Sequence, residues 1–200
     1  EFAAALQWYE KIQRGEQFLA ARIRAAQVIV KLRGLESARG YLAGIEPQGS
    51  EQRTQLILAE SQLLRDANQF QPAFVLMERL LRDAPDNPDF LYDYAMLAEK
   101  IDRLDVLESS LRKVIALRPD NAHAYNALGY SFADRNIRLD EARVLIDRAL
   151  ALSPSDLFII DSKAWIEYRL GNLATAVQLL RQAYAGRPDA EIAAHYGEVL

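Results

Sequence analysis

Few side chains of this sequence have the type and spacing needed for catalysis or metal binding. The 200-residue chain contains two histidines, His123 and His195, and no cysteine. Without cysteine there are no disulfides, thiol nucleophiles or cysteine-bound metal sites. Glu191 and His195 are four residues apart, so on a helix they would share one face and supply half of a metal site. Because no third ligand is evident, a surface pair is the favoured interpretation, and we predict no metal and no cofactor.

The common phosphate-binding and catalytic motifs are also missing from the sequence. It contains no P-loop, no dinucleotide fingerprint, no paired-histidine zinc motif and no serine nucleophile elbow. His123 lies near the start of a predicted helix and is interpreted as a surface or groove residue rather than a general base. We therefore predict that this chain catalyses no reaction and that its function is binding.

Composition limits both the fold class and the partners. Half of the residues are hydrophobic, whereas only 7 are proline and 9 are glycine. Abundant alanine and leucine, with few strand-favouring residues, indicate an all-helical chain. The net charge of -4 and the scattering of arginines among acidic residues argue against nucleic acid as a partner. No stretch approaches the roughly 20 apolar residues of a membrane span, so we predict no direct membrane insertion.

One proline recurs at nearly constant spacing along the chain. The four positions, 34, 35 and 34 residues apart, are Pro85, Pro119, Pro154 and Pro188. Each proline follows a segment with apolar residues at i, i+4 and i+7, as at Ala142, Ile146 and Ala149, which predicts one buried helix face. A second helical segment precedes each of these, after a short polar turn. The extra residue of the 35-residue unit falls in the turn DRNIRL.

A small residue occupies the same position in the first helix of each unit. The four residues are Ser61, Ala95, Gly129 and Ala164. Glycine in a helix interior is about 1 kcal/mol less favourable than alanine, so Gly129 requires a compensating reason. We infer that the two helices of a unit cross closely at this position. We expect position 129 to accept alanine but not leucine.

A helix pair that repeats every 34 residues, with a small residue in its first helix, alanine in its second and a terminal proline, resembles the tetratricopeptide repeat (TPR) family. The signature positions are best matched by Tyr125, Leu128, Gly129, Phe132, Ala142, Ala149 and Pro154. Lys163 departs from the pattern, because it stands where Leu128 stands. The resemblance implies an all-α, right-handed solenoid of antiparallel helix pairs.

The implied organisation is a single array of about five pairs with a half-repeat at each end, within a longer protein. Its segments are a lone second helix over 3–13, a degenerate repeat over 17–47, repeats over 51–84, 88–118, 122–153 and 157–187, and a truncated first helix over 189–200. Within the family, AHAYNALGYSFADR and DEARVLIDRALAL are similar to proteobacterial outer-membrane lipoproteins that act as adaptors for periplasmic C-terminal processing proteases. That similarity implies a periplasmic protein tethered to the outer membrane, with the cytoplasm as the alternative.

Side chains at one phase of the first helices form a predicted binding surface, here called the first-helix stripe. In this family that face lines the concave side of the solenoid. The stripe consists of Tyr92, Met96, Asn126, Tyr130, Asp161 and Trp165. Aromatic rings supply contact area, and the amide of Asn126 can pair with an extended backbone as donor and acceptor. We therefore expect a non-enzymatic scaffold that binds a peptide or protein segment, although packing against adjacent helices is the alternative for each aromatic.

Two further roles stay open from the sequence. Apolar helix faces at the ends of the array favour self-association into a homo-oligomer. A further alternative is that the chain is the TPR portion of a larger enzyme, or of a secretion or protease-adaptor complex. Trp8 falls at a predicted core-facing position of its helix, so packing is its expected role.

Overall fold

The computed structural model describes residues 1–200 and contains twelve α-helices and no strand. The helices are α1 (Phe2–Lys11), α2 (Phe18–Arg33), α3 (Leu35–Ala43), α4 (Ser50–Asp66), α5 (Phe70–Asp83), α6 (Pro88–Lys100), α7 (Leu104–Leu117), α8 (Ala122–Asp134), α9 (Leu139–Leu152), α10 (Leu157–Arg169), α11 (Leu173–Gly186) and α12 (Ala190–Val199). Within the chain, α2 packs on α3, α4 on α5, α8 on α9 and α10 on α11 as helix pairs. The predicted all-α class of helix pairs is confirmed.

The chain divides into two compact units, Glu1–Ile101 and Asp102–Leu200, here called unit 1 and unit 2. Unit 1 contains α1 to α6, and its core is formed by α2, α3 and α4 around Ala26, Ile29 and Ala38. Unit 2 contains α7 to α12, in which α8 packs on α9 and α10 packs on α11. None of the twelve helices is both long enough and apolar enough to cross a lipid bilayer.

Polar caps placed just after the repeat prolines start the first helices. The side chain of Asn121 accepts a hydrogen bond from the backbone N–H of Ala124, and Asp156 accepts from the N–H groups of Phe158 and Ile159. Asn87 and Asp189 cap α6 and α12 in the same way. Each cap satisfies a backbone donor that the helix leaves unpaired, which typically contributes about 1 kcal/mol.

Left-handed residues recur in the turns between paired helices. They are Asn68, Asp102, Asn136 and Gly171, with φ values of 57°, 55°, 55° and 85°. Asn, Asp and Gly tolerate this conformation best, and one of these three residue types recurs at the equivalent turn position of each repeat. Arg138 adds a second left-handed residue, with φ 50°, in the turn that carries the extra residue of the longer unit.

Gly129 lies where α8 crosses α9. A Cβ atom built on Gly129 would be 2.7 Å from Cγ1 of Ile146 and 3.0 Å from the carbonyl oxygen of Ala142. The inference that the two helices approach closely here is therefore confirmed. This geometry argues against the expectation that alanine would be accepted, because a methyl group would press on the side chain of Ile146 and on a backbone carbonyl of α9.

Trp8 is not in the core, in contrast to the expectation from its helix position. Its side chain is 67% exposed, and Nζ of Lys11 lies 3.7 Å from the ring centroid. Instead, α1 packs through Leu6, which is buried, and Tyr9, three residues later on the same face. The ring of Trp8 lies off that face, which is why the helix leaves it in solvent.

Candidate partner-binding site

Three first helices of unit 2 place equivalent residues side by side. Asn126 on α8, Asp161 on α10 and His195 on α12 occupy the same position in successive repeats. Tyr130 and Trp165 stand one helical turn after Asn126 and Asp161. The predicted stripe omitted His195, although it follows Asp161 by one repeat length of 34 residues. Extending the stripe by that spacing would have found it.

Asp161 and His195 form a buried polar pair between α10 and α12. Nδ1 of His195 lies 2.8 Å from Oδ2 of Asp161, and the two residues are only 8% and 4% exposed, respectively. The interpretation of Glu191 and His195 as a surface pair is therefore wrong for the histidine. Its ring points inward because position 195 shares the phase of Asp161, whereas Glu191 is exposed.

The hydroxyl of Tyr130 extends this pair across three helices. It lies 3.3 Å from Nε2 of His195 and 3.5 Å from Oε1 of Glu191. A polar chain therefore runs from Glu191 on α12 through Tyr130 on α8 and back through His195 to Asp161 on α10. The ring of Tyr130 itself is half-buried.

Trp165 is packed inside this arrangement. Its ring stacks on the imidazole of His195, with centroids 4.3 Å apart and planes inclined by 22°, and the residue is 4% exposed. The guanidinium of Arg169 lies 5.4 Å from the same indole ring and donates hydrogen bonds to the carbonyl oxygens of Ala133 and Asp134. In this conformation the indole therefore contacts the protein rather than solvent.

The electrostatics of the site favour a charged imidazole and a neutral phenol. Burial by itself would lower the pKa of His195, but the hydrogen bond and charge of Asp161, with the charges of Glu191 and Asp134, outweigh it and raise the pKa. Burial, followed by the charges of the same three carboxylates, raises the pKa of Tyr130 strongly. Tyr130 therefore stays protonated and acts as a hydrogen-bonding group, not as an activated nucleophile.

Three buried side-chain polar atoms have no hydrogen-bond partner in the protein, and all belong to the predicted stripe. They are Oδ1 of Asn126, Oδ1 of Asp161 and Nε1 of Trp165. A buried polar atom left unpaired costs about 1–3 kcal/mol, and native folds contain few of them. Two acceptors and one donor on the first-helix face of unit 2 are thus unpaired, although the surrounding side chains shield them from solvent.

Tyr92 and Met96, the other two stripe residues, lie on α6 in unit 1, and both are half-buried. Burial, followed by the charge of Asp93, raises the pKa of Tyr92. Met96 lines a cavity of about 260 Å³ together with Arg65 and Lys100. No group of three or more histidine, aspartate or glutamate side chains is arranged to hold a metal ion.

Comparison with known proteins identifies the repeat. A family model described as Tetratricopeptide repeat matches residues 108–156. The chain is 42% identical over 196 residues to a TPR repeat-containing protein of Pseudomonas aeruginosa. That alignment covers 98% of this chain and 33% of the relative, so the chain spans about a third of the relative's length.

Solved structures show the same fold at low sequence identity. A tetratricopeptide repeat protein from Parabacteroides merdae superposes with a TM-score of 0.74 at 16% identity, covering 92% of this chain and 72% of that one. YrrB, described as a TPR protein with an unusual peptide-binding site, superposes with a TM-score of 0.61 at 17% identity. The matched regions cover 94% of this chain and 96% of YrrB. At these identities the likeness concerns the fold alone.

Proposed function

This chain belongs to the tetratricopeptide repeat family, and from that membership we propose that it is a non-enzymatic scaffold that binds an extended segment of a partner protein. Repeats of this kind present a long, nearly preformed surface, because each helix pair packs only on its neighbours. The proposed site in unit 2 is formed by Asn126, Tyr130, Asp161, Trp165 and His195. YrrB carries a peptide-binding site on a similar fold, which supports a peptide as the class of ligand.

The observation that carries this proposal is the location of the unpaired polar atoms. An extended peptide backbone offers N–H donors for the oxygens of Asn126 and Asp161, and carbonyl acceptors for Nε1 of Trp165, once the side chains that cover these atoms move aside. Elsewhere in the chain, buried side-chain polar atoms already have partners. The complementarity of these groups to a peptide backbone therefore favours the first-helix face over the second helices.

Tyr130 supplies the apolar part of the proposed contact. Its ring is half-buried in the free chain, and its hydroxyl is held by His195, so little ordering is needed on binding. Aromatic residues of this kind carry much of the energy of protein interfaces. In unit 1 we propose that Tyr92 and Met96 also contact a partner segment, beside the cavity that Met96 lines.

A peptide selection tests the proposal directly. A random peptide library displayed on phage is selected against the 200-residue chain, and the affinities of the enriched peptides are measured by fluorescence polarisation. We expect Tyr130→Ala to weaken binding by about thirtyfold, corresponding to about 2 kcal/mol, and Asn126→Ala by about tenfold. Raising the salt concentration should have a mild effect, because the contacts are aromatic and amide-bearing.

Matched controls remove the same chemical groups from α11. Tyr184→Ala deletes an exposed tyrosine and Gln178→Ala an exposed amide, and both should leave the affinity within about twofold of the parent. Far-UV circular dichroism must show unchanged helicity in all four variants. Loss of binding in the α11 variants, with normal binding by the Asn126 and Tyr130 variants, would assign recognition to another face.

Self-association is a second candidate function, because α1 exposes two large apolar side chains. Phe2 is 54% exposed and Trp8 67% exposed. Burying them against a second copy would remove apolar area from water, which favours a dimer. Light scattering should then show a larger mass for the parent than for Trp8→Gln. A role as an outer-membrane adaptor stays a prediction from sequence resemblance, and a place within a larger enzyme stays an alternative.

A further inference from the structure

We propose that protonated His195 fastens α12 over the binding site of unit 2, and that loss of this proton releases α12 and uncovers Trp165 and Asp161. Release of α12 would regulate peptide binding, so its biological role rests on the proposed function. The fastening itself is a property of the free chain. It makes the accessibility of the stripe dependent on pH.

The contacts of α12 divide into an apolar set and a polar set. Ile192 and Val199 pack in a cluster with Ile160 of α10 and Leu180 of α11. The polar contacts to α8 and α10 run through His195, with Glu191 contributing at the edge of the helix. The polar set therefore joins α12 to α8 and α10, whereas the apolar set joins it to α10 and α11.

In the protonated state every hydrogen of this polar set has an acceptor. Nδ1–H of His195 donates to Oδ2 of Asp161, and Nε2–H donates to the hydroxyl oxygen of Tyr130. The hydroxyl hydrogen of Tyr130 is then directed to Oε1 of Glu191. The buried carboxylate of Asp161 is paired with a cation, which offsets the cost of its desolvation.

Deprotonation changes both the charge and the direction of the hydrogen bonds. Nε2 of His195 becomes an acceptor and takes the hydroxyl hydrogen of Tyr130, so Glu191 loses its donor. Asp161 keeps one hydrogen bond, from Nδ1–H, but loses its counter-charge while Oδ1 remains unpartnered. A buried carboxylate without a cation is strongly unfavourable, and moving α12 away hydrates it. The neutral state therefore favours opening.

Charged groups on all neighbouring helices contribute to this balance. Asp134 of α8, Asp161 of α10 and Glu191 of α12 favour the imidazolium. Arg169 of α10 opposes it from its place beside Trp165, and Arg181 of α11 holds α12 separately, with Nε 3.4 Å from the hydroxyl of Tyr196. Because three carboxylates favour the imidazolium and one nearby cation opposes it, we expect α12 to be released only at a pH above the ordinary pKa of histidine.

The fluorescence of Trp165 can show whether α12 is attached or released, without any binding partner. The chain has 2 tryptophans, so Trp8→Phe leaves Trp165 as the only one. We expect its quenching by acrylamide to increase about twofold or more as the pH rises from about 5.5 to about 9. Hydrogen exchange of residues 190–199, corrected for the intrinsic pH dependence, should accelerate over the same range.

Variants identify the proton responsible. In the Trp8→Phe background, His195→Gln should abolish the transition, and Asp161→Asn should also remove the increase in quenching at high pH, because the buried carboxylate that loses its counter-charge is gone. His123→Gln is the matched control, since this exposed histidine lies at the start of α8, and it should leave the transition unchanged. The parent titration tests the inference even if a variant fails to fold.

Three results would overturn the inference. They are a flat quenching profile in the parent, a transition that persists in His195→Gln, and a fluorescence transition without faster exchange in α12. None of these measurements uses a ligand, so they are independent of the peptide selection. Failure to enrich any peptide at about pH 9, where α12 is expected to be open, would instead overturn the proposed function and leave the proton-dependent attachment of α12 intact.

Discussion

Asp161 and His195 are 34 residues apart, yet Nδ1 of His195 lies 2.8 Å from Oδ2 of Asp161 in the interior of unit 2. The contact arises because α10 lies between α8 and α12, so residues at the same position of successive first helices become neighbours. A polar column of Asn126, Asp161 and His195 results. Residues that are one repeat apart in the sequence therefore form a hydrogen-bonded pair in the fold.

Stability should depend on the protonation of His195. Its pKa is raised in the folded state, so its contribution is fully present below the unfolded value of about 6.5 and is lost as the pH rises through the folded pKa. We expect the melting temperature, measured by calorimetry, to fall over that window. His195→Gln should remove this decrease, and an identical decrease in that variant would contradict the assignment.

Gly129→Ala should destabilise the chain by about 1–3 kcal/mol, because the added methyl group meets Ile146 and the carbonyl of Ala142. Gly197→Ala is the matched control, since a Cβ on this α12 glycine meets nothing within 4 Å. That control should be neutral or stabilising by up to about 1 kcal/mol. Urea unfolding measures both, and a Gly129→Ala variant as stable as the parent would exclude the close crossing of α8 and α9.

Asp156→Ala should lower the free energy of unfolding by about 1 kcal/mol. Its carboxylate accepts from the backbone N–H groups of Phe158 and Ile159 and so caps α10. Ser155→Ala, at the adjacent exposed position, should change stability by less than about 0.5 kcal/mol. Equal losses in the two variants, compared by urea unfolding, would show that the cap is not the cause.

Lys163→Leu should destabilise unit 2 by about 3 kcal/mol, even though leucine restores the family residue at this position. Glu167 is 3% exposed, and Nζ of Lys163 lies 2.8 Å from its Oε1. Removing the lysine leaves the buried carboxylate of Glu167 without its nearest positive charge, so the cost of its desolvation is offset less well. The double variant Lys163→Leu with Glu167→Leu should recover much of the loss. A single variant as stable as the parent in thermal melts would contradict this prediction.

The helix pairs, their turns and the close crossing at Gly129 can be predicted from the sequence pattern. These features follow from short-range chemistry that repeats every 34 or 35 residues. Caps such as Asn121 and Asp156 start helices, Asn136 and Gly171 accept left-handed turns, and apolar spacing sets the buried faces. Each of them depends on residues of a single helix or of one helix pair, so a pattern in the chain is sufficient to predict it.

The burial of the site residues, by contrast, depends on contacts between helices that are distant in the sequence. Whether Trp165 faces solvent or a neighbour depends on α12, and whether His195 lies at the surface depends on Asp161, one repeat earlier. Trp8 shows the converse, because the face that α1 turns to α2 leaves this ring exposed. Burial and pairing are set by which helix faces come into contact, and helix propensity and periodicity along one segment do not contain that information.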